Sequence, residues 1–376
     1  MSLPSVILSA TGLYTPPYSI SNDEMVAAFN QYVVHYNQQH AEEIAAGTLV
    51  AKQESSSAFI EKASGIKSRY VMEKTGLLDP DFLCPRLPQR PDDELCLQAE
   101  IGVAAAQDAL KQRGLTGADV DMILLSCSNM QRAYPAVSIE IQAALGSTGY
   151  AFDMSVACSS AVFGLQTAYN AIACGNAKRV LVISAEICSG HMDFRDRDSH
   201  FIFGDAATAM LLEREDLVDD AHRGFAILGT SLTTTYSNNI RNNFGFTNRC
   251  DPEHQFGDDK LFKQQGRKVF KEVSQAAGEH IVKHLQKLNI QPENIQRFWL
   301  HQANQNMNQL IVKRILGREA SAKEAPIILD RYANTSSAGS IIALHLHQED
   351  LKQGDLGVIS CFGAGYSIGS VVVQKR

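Results

Sequence analysis

Three residues of this chain could together carry out acyl chemistry: a cysteine at 158, a histidine at 301 and an asparagine at 334. Cys158 lies in Tyr150–Gly175, where an apolar strand, a turn of small residues and an apolar helix follow one another. Arg331–Gln348 repeats that pattern and places Asn334 at an offset of 176 residues from Cys158. His301 follows a third apolar run, Ile295–Leu300, and opens a polar cluster. A thiol just ahead of a helix faces unsatisfied N–H groups and the positive end of the helix dipole, which lowers its pKa and supplies thiolate at neutral pH. The small neighbours Ala157, Ser159 and Ser160 keep the sulfur accessible. Two chemistries use such a set. In a papain-like hydrolase the histidine deprotonates the thiol and the asparagine orients the ring. In a carbon–carbon bond-forming acyltransferase the thiolate takes an acyl group from a thioester. Histidine and asparagine then hydrogen-bond the carbonyl of a second thioester and stabilise the enolate left by loss of CO2.

The elements that must position these residues also repeat. Leu110 matches Leu285, Leu115 matches Ile290, Val120 matches Ile295 and Asn129 matches Asn304, all at an offset of 175. Val180–Ser184 matches Leu356–Ser360 at 176, the register of Cys158 and Asn334. The chain therefore reads as α/β, with two duplicated βαβ-type halves at 1–215 and 216–376, each a mainly parallel buried sheet flanked by helices. The first half carries the cysteine, the second the histidine and asparagine. In such a sheet the crevice beyond the carboxyl ends of the strands binds ligands, and His301 is expected at the same end as Cys158. This scaffold selects the bond-forming chemistry, since nothing here matches the hydrolase's local sequence around its cysteine. The glycine-rich loop Cys361–Ser370 could offer N–H groups to an oxyanion. Residues 30–60 read as a helical insert, 75–95 as a proline-rich stretch and 231–258 as a polar loop or edge hairpin. Each is surface decoration, a dimer contact or a substrate-tunnel wall.

At 376 residues the chain can bury a substantial core. A net charge of −7 argues against nucleic acid as a partner. No apolar run reaches membrane-spanning length, and the short apolar stretch near Met1 lacks the basic flank of a signal peptide. The eight cysteines show no CxxC spacing and read as reduced thiols of a cytoplasmic protein, with no metal site among them.

Seven stretches, Gly65–Tyr70, Ala133–Gly146, Asp153–Leu165, Phe203–Ala209, His301–Asn304, Tyr332–Ser340 and Phe362–Ser370, together resemble the β-ketoacyl-acyl carrier protein synthase III family of the thiolase superfamily. The resemblance implies a thiolase-like fold layered α-β-α-β-α and a homodimer. It implies an acyl-enzyme on Cys158 formed from acyl-coenzyme A, with no permanently bound cofactor. It also implies decarboxylative condensation with malonyl-acyl carrier protein, assisted by His301 and Asn334. The backbone N–H groups of Cys158 and Ala364 would form the oxyanion hole, and Tyr134 would cross the dimer interface to gate the partner's acyl pocket. Phe59, Lys271, Asn304, Lys313 and Arg314 are the expected contacts to coenzyme A or the carrier protein. The chain departs from the family in having Asn306 where an arginine is usual, Phe59 for a tryptophan and Ala63 for an arginine. Cys361 stands where a thiolase carries its second catalytic cysteine. Thiolase-like and type III polyketide synthase-like enzymes acting on coenzyme A esters are therefore the alternatives.

Overall fold

Strands whose alternate residues face different helix layers set the architecture. The computed structural model describes residues 4–219, 222 and 224–376. The chain runs β1 (Val6–Tyr14), β2 (Tyr18–Ser21), α1 (Asn22–Gln39), α2 (Ala41–Ala45), α3 (Ser57–Ser64), β3 (Ser68–Val71), α4 (Leu97–Gln112), β4 (Met122–Ser126), α5 (Val137–Leu145), β5 (Tyr150–Met154), α6 (Ser160–Ala173), β6 (Arg179–Glu186) and β7 (Ala206–Arg214). It continues with β8 (Phe225–Ser237), β9 (Ile240–Arg241), β10 (Lys263–Gln264), α7 (Gly266–Lys287), β11 (Ile295–Leu300), α8 (Gln305–Leu316), α9 (Leu329–Tyr332), α10 (Ala338–Leu346), β12 (Leu356–Gly363) and β13 (Gly365–Lys375).

Nine strands form one sheet in the order β11-β12-β13-β8-β1-β7-β6-β4-β5. Within β4, Met122 and Leu124 join one core cluster, while Ile123 and Leu125 join another. Within β11, Trp299 faces the first cluster and Phe298 and Leu300 a third. This period of two sorts the apolar side chains into layers. The sheet curls so that one face, from β4 and β6 round to β12 and β13, encloses α6 and α10. Both helices are apolar around most of their circumference, as a helix buried between two sheet layers must be. The other face is covered by α4 and α5 at one end and by α7 and α8 at the other, which gives the five layers α-β-α-β-α. A separate apolar cap joins α1, α3, β3, residues 192–203 and α9.

Three expectations need correcting. The sheet is mixed: β4 pairs in parallel with β5 and β6, and β11 with β12, but the remaining ladders are antiparallel. Apolar runs reveal burial, not direction, and the turn at Ala364 sends β13 straight back along β12 with no crossover helix. Residues 231–237, expected in a polar loop or edge hairpin, are the second half of β8, a central strand, and pair with β13. Thr233, Thr234 and Thr235 are β-branched and favour extended backbone despite their polarity. The 30–60 insert is helical only in part: α1 ends at Gln39, and 46–56 form a non-helical connection to α3.

Candidate active site

Cys158 sits two residues before α6, immediately after Ala157, whose φ is +48°. Asn334 sits four residues before α10, immediately after Ala333, whose φ is +54°. Left-handed backbone at a non-glycine residue costs about 1–3 kcal/mol and persists where the surroundings over-determine it. Here the surroundings are α6 and α10, where full burial of a single Leu or Ile contributes about 1.5–3 kcal/mol. Three such residues of α10, Ile341, Ile342 and Leu344, are completely buried, enough to hold the turn. His301 closes β11 through a hydrogen bond from its N–H to Ser360 O (2.7 Å) on the parallel neighbour β12. Its ring meets Phe362 edge-on at 5.3 Å.

Cys158, His301 and Asn334 all line one cavity of about 660 Å³. It narrows from exposed Asp198 and Arg267 at the surface to buried His301 and Asn334. Gly363 forms the wall beside the sulfur: a Cβ there would lie 2.7 Å from Cys158 Cβ and 3.2 Å from Sγ, so only glycine fits. Ala364, the expected second oxyanion donor, is the next residue, in the turn between β12 and β13.

The polar contacts fix what each group can do. The Asn334 main chain is held at both ends, its N–H donating to Ile202 O and its C=O accepting from Gly204 N–H, each at 3.0 Å. Its side-chain Oδ1 accepts from Ser336 N–H (2.9 Å), which settles the amide orientation and turns the Nδ2 donor toward the cavity. Burial pushes the His301 imidazole down to about 4, with the Ser336 backbone pulling the other way, so the ring is neutral at physiological pH and carries a single N–H. Among the described residues its Nδ1 has no hydrogen-bond partner.

The thiol behaves differently from the sequence expectation. Burial pushes Cys158 up to about 11; a hydrogen bond from Ser336 Oγ (3.5 Å) opposes this and the Glu186 charge adds to it. Its own backbone N–H also lowers the value, but burial outweighs both opposing contacts. Ser159 N–H and Ser160 N–H are taken by Val156 O (3.0 Å) and Ala157 O (3.1 Å) within the turn itself. The resting group is a thiol whose proton must leave as it attacks.

The other expected contacts divide. Phe59 lines the cavity, with the Arg197 guanidinium stacked over its ring at 4.6 Å. Asn304 lines it too, but its side chain is engaged in capping α8 at Met307 N–H (3.2 Å) and in donating to Ala63 O (2.6 Å). Lys271, Lys313 and Arg314 are exposed on α7 and α8 and do not reach the cavity, and Lys313 pairs with Glu319 (2.6 Å). Tyr134 is outside it as well, 86 % exposed. Cys361 is buried in the α6/α10 layer, in contact with Ser340 Oγ (3.0 Å), and is not part of the lining. A second, more open cavity of about 1100 Å³ shares Asp196 and Asp198 with the first and is walled by Tyr32, Lys52 and the 244–258 loop. Sequence reasoning missed Ser336 and Arg197. Ser336 lies inside a quoted motif, but its φ of +51° and its reach to the sulfur are set by tertiary structure. Nothing in its neighbours' spacing singles out Arg197.

Comparison with known proteins bears on the same residues. The 3-oxoacyl-[acyl-carrier-protein] synthase III profile matches residues 152–235 and its C-terminal counterpart matches 285–375. The chain is 59 % identical over 349 residues to a β-ketodecanoyl-[acyl-carrier-protein] synthase of Pseudomonas aeruginosa, covering 93 % of this chain and 99 % of that protein. It is 33 % identical over 301 residues to a β-ketoacyl-[acyl-carrier-protein] synthase III of Mesorhizobium japonicum, covering 75 % and 85 % of the two chains. In fold it is similar to the crystal structure of 3-oxoacyl-[acyl-carrier-protein] synthase III from Aquifex aeolicus, with a TM-score of 0.75 at 24 % identity over 98 % of this chain and 99 % of the other.

Proposed function

Because this chain belongs to the β-ketoacyl-acyl carrier protein synthase III family, and is therefore an acyl-transferring condensing enzyme of fatty acid synthesis, we propose that Cys158 is its nucleophile and that His301 and Asn334 drive the decarboxylation. Acyl-coenzyme A enters the cavity, and Cys158 Sγ attacks the thioester carbonyl as its proton leaves. Coenzyme A departs as its thiol, and the acyl group stays on the enzyme. Malonyl-acyl carrier protein then places its thioester carbonyl between the N–H of neutral His301 and the Nδ2 of Asn334. The carbon–carboxylate bond breaks, CO2 leaves, and the electron pair passes into an enolate that the two donors stabilise. The enolate carbon attacks the acyl carbonyl and the N–H groups of Cys158 and Ala364 receive the oxyanion; its collapse breaks the bond to Cys158 Sγ, which takes up a proton from solvent and returns to the thiol, and the β-ketoacyl product leaves on the carrier protein.

The observation that carries this reading is the convergence of a thiol and two aimed, uncharged hydrogen-bond donors on one cavity. Neutral donors suit an enolate that forms only in the reaction, because they are preorganised before the charge appears. A thiolase would need a second cysteine as base, and Cys361 is sealed in the core, its thiol pushed up to about 12 by burial.

We assign a medium-chain primer. Condensation adds two carbons, so a relative named for a ten-carbon β-ketoacyl product starts from an eight-carbon acyl group, and octanoyl-coenzyme A is the corresponding substrate here. The cavity volume of about 660 Å³ falls in the range of ligand pockets, about 300–1,000 Å³. Arg197 over Phe59 makes a flat cationic face suited to the nucleotide end of coenzyme A. We further propose that the chain works in the cytoplasm as two duplicated halves divided near 215/216 and assembles as a homodimer. The edge strand β5 exposes Tyr150 and Phe152, close in sequence to exposed Ile139 and Tyr134, an unpartnered edge that a second copy would cover, with Tyr134 reaching the neighbour's acyl pocket. Among the described residues no helix is long and apolar enough to cross a membrane.

The test is to incubate the protein with a ladder of acyl-coenzyme A esters and weigh it. Octanoyl should load most completely, once per chain and on the Cys158 peptide; loading confined to acetyl would refute the primer assignment. Malonyl-acyl carrier protein should then release CO2 where malonyl-coenzyme A does not, and the reverse preference would indicate the polyketide synthase-like chemistry.

A further inference from the structure

We propose that Glu186 is a positioning residue for the decarboxylation step: from the end of β6 it anchors, through Ser337, the strained turn that holds Asn334 at the cavity. The inference rests on the reading of function above.

Glu186 is fully buried, and four donors converge on its carboxylate. Ser128 N–H donates to Oε1 (2.9 Å) and Ser128 Oγ to Oε2 (2.6 Å), tying the acid to the segment after β4. On the other side Ser337 Oγ and Ser337 N–H (3.3 Å) both donate to Oε1. Ser337 is the N-cap residue of α10, yet its hydroxyl makes no capping bond to its own helix and turns instead to the carboxylate. It is the immediate neighbour of Ser336, which holds Asn334 Oδ1 with its N–H (2.9 Å) and approaches Cys158 Sγ with its hydroxyl (3.5 Å). One acid from the first half of the chain therefore pins a turn from the second, beside the residue that holds Asn334 and touches the sulfur.

That turn needs an anchor. Ala333 and Ser336 both have positive φ, +54° and +51°, and each such residue is retained against a cost of about 1–3 kcal/mol. Core filling alone does not explain the acid. At the duplicated register of 176 residues, the other half carries Phe362 where the first has Glu186, so the fold accepts an apolar side chain at this point. A buried carboxylate is retained where its hydrogen bonds are complete and specify a geometry. Here the geometry specified is that of the asparagine turn.

The two half-reactions separate the idea from a merely structural role. Acylation of Cys158 does not use the Asn334 amide, and the two influences of this turn on the sulfur oppose each other, the Glu186 charge raising its pKa and the Ser336 hydroxyl lowering it, so acylation moves little; decarboxylation does use Asn334, and a displacement of about 1 Å at a positioned group costs on the order of 10²-fold in rate. Glu186→Gln keeps the volume but sets an amide NH2 against N–H and O–H donors. Ser337→Ala removes the hydroxyl and leaves the carboxylate on Ser128, which keeps the test available should Glu186→Gln fold poorly. Ser128→Ala removes a bond on the side away from the turn. The experiment is rapid-quench kinetics with octanoyl-coenzyme A and radiolabelled malonyl-acyl carrier protein, following acyl-enzyme formation and CO2 release separately. Glu186→Gln and Ser337→Ala should each slow CO2 release on the order of 10²-fold while acylation and the KM for octanoyl-coenzyme A change less than about threefold; Ser128→Ala should leave both steps within about threefold. Equal losses in both steps, no loss in either, or a Ser128→Ala defect as large as that of Glu186→Gln would overturn the proposal. Wild-type protein that releases no CO2 would instead remove the underlying reading of function.

Discussion

The turn before α6 and the turn before α10 are built alike and used differently. Each begins with a left-handed alanine, Ala157 or Ala333, and runs into a helix buried between the sheet layers. Each is braced from the end of a strand in the opposite half: Gly363 of β12 closes on Cys158, and Glu186 of β6 binds the turn of Asn334. The difference lies in the last atom. One turn offers a sulfur suited to forming a bond, the other a carboxamide whose oxygen is held by Ser336 and whose Nδ2 is left to donate. Backbone geometry repeated by duplication thus sets where chemistry can occur, and side chain and bracing decide which step each turn serves.

The largest effect expected from breaking this comparison is at the sulfur. Cys158→Ala should abolish acyl-enzyme formation, and radiolabelled acyl groups retained by that variant would contradict the nucleophile. Next comes the opposite turn. Asn334→Asp replaces the donating amide by an oxygen that repels the enolate; CO2 release should fall on the order of 10²–10³-fold while acylation changes little, and parallel losses would show that the turns do not divide the steps. A third prediction concerns charge. With the thiol held near 11, the thiolate fraction rises tenfold per pH unit below that value, so alkylation of Cys158 by iodoacetamide should keep accelerating from pH 7 to 10. A plateau near neutral pH would reveal a thiolate stabilised by the helix end after all. His301 works in the opposite range: its pKa is lowered to about 4, so CO2 release from preloaded enzyme should hold as pH falls to 5 and fail only as the ring protonates below that. Loss of the step around pH 6.5, the ordinary histidine range, would mean the imidazole is not buried as described. The smallest effects are on the backbone. Ala157→Val and Ala333→Val place a β-branched side chain at positive φ and should each lower stability by about 1–3 kcal/mol in chemical denaturation, and unchanged midpoints would show that neither turn is constrained.

The meeting of Cys158, His301 and Asn334 on one cavity was legible in the sequence. The shared register of Cys158 and Asn334, and the apolar strand ahead of His301, encode position through spacing, which duplication preserves. Properties set by the third dimension were not legible. The cysteine's place ahead of a helix suggested a lowered pKa, but burial and the local use of the first N–H groups win, and neither can be read from neighbours in sequence. Strand direction was hidden for a similar reason, since Val180–Ser184 looks equally apolar beside a parallel or an antiparallel partner. The Thr-rich end of β8 has the polarity of a loop or edge hairpin, and its place inside the sheet shows only in its β-branching. Ser336 and Glu186 escaped notice because their partners lie 178 and 151 residues away in the chain.

The most direct test of the account is a single-turnover experiment on wild-type protein whose Cys158 has been loaded with a labelled octanoyl group. On addition of malonyl-acyl carrier protein, the label should leave the cysteine in step with one CO2 per acyl-enzyme and appear as β-ketodecanoyl-acyl carrier protein. Label that departs as free octanoate, or CO2 evolved while the thioester stays intact, would contradict the claim that thiol, imidazole and carboxamide act as one condensing site.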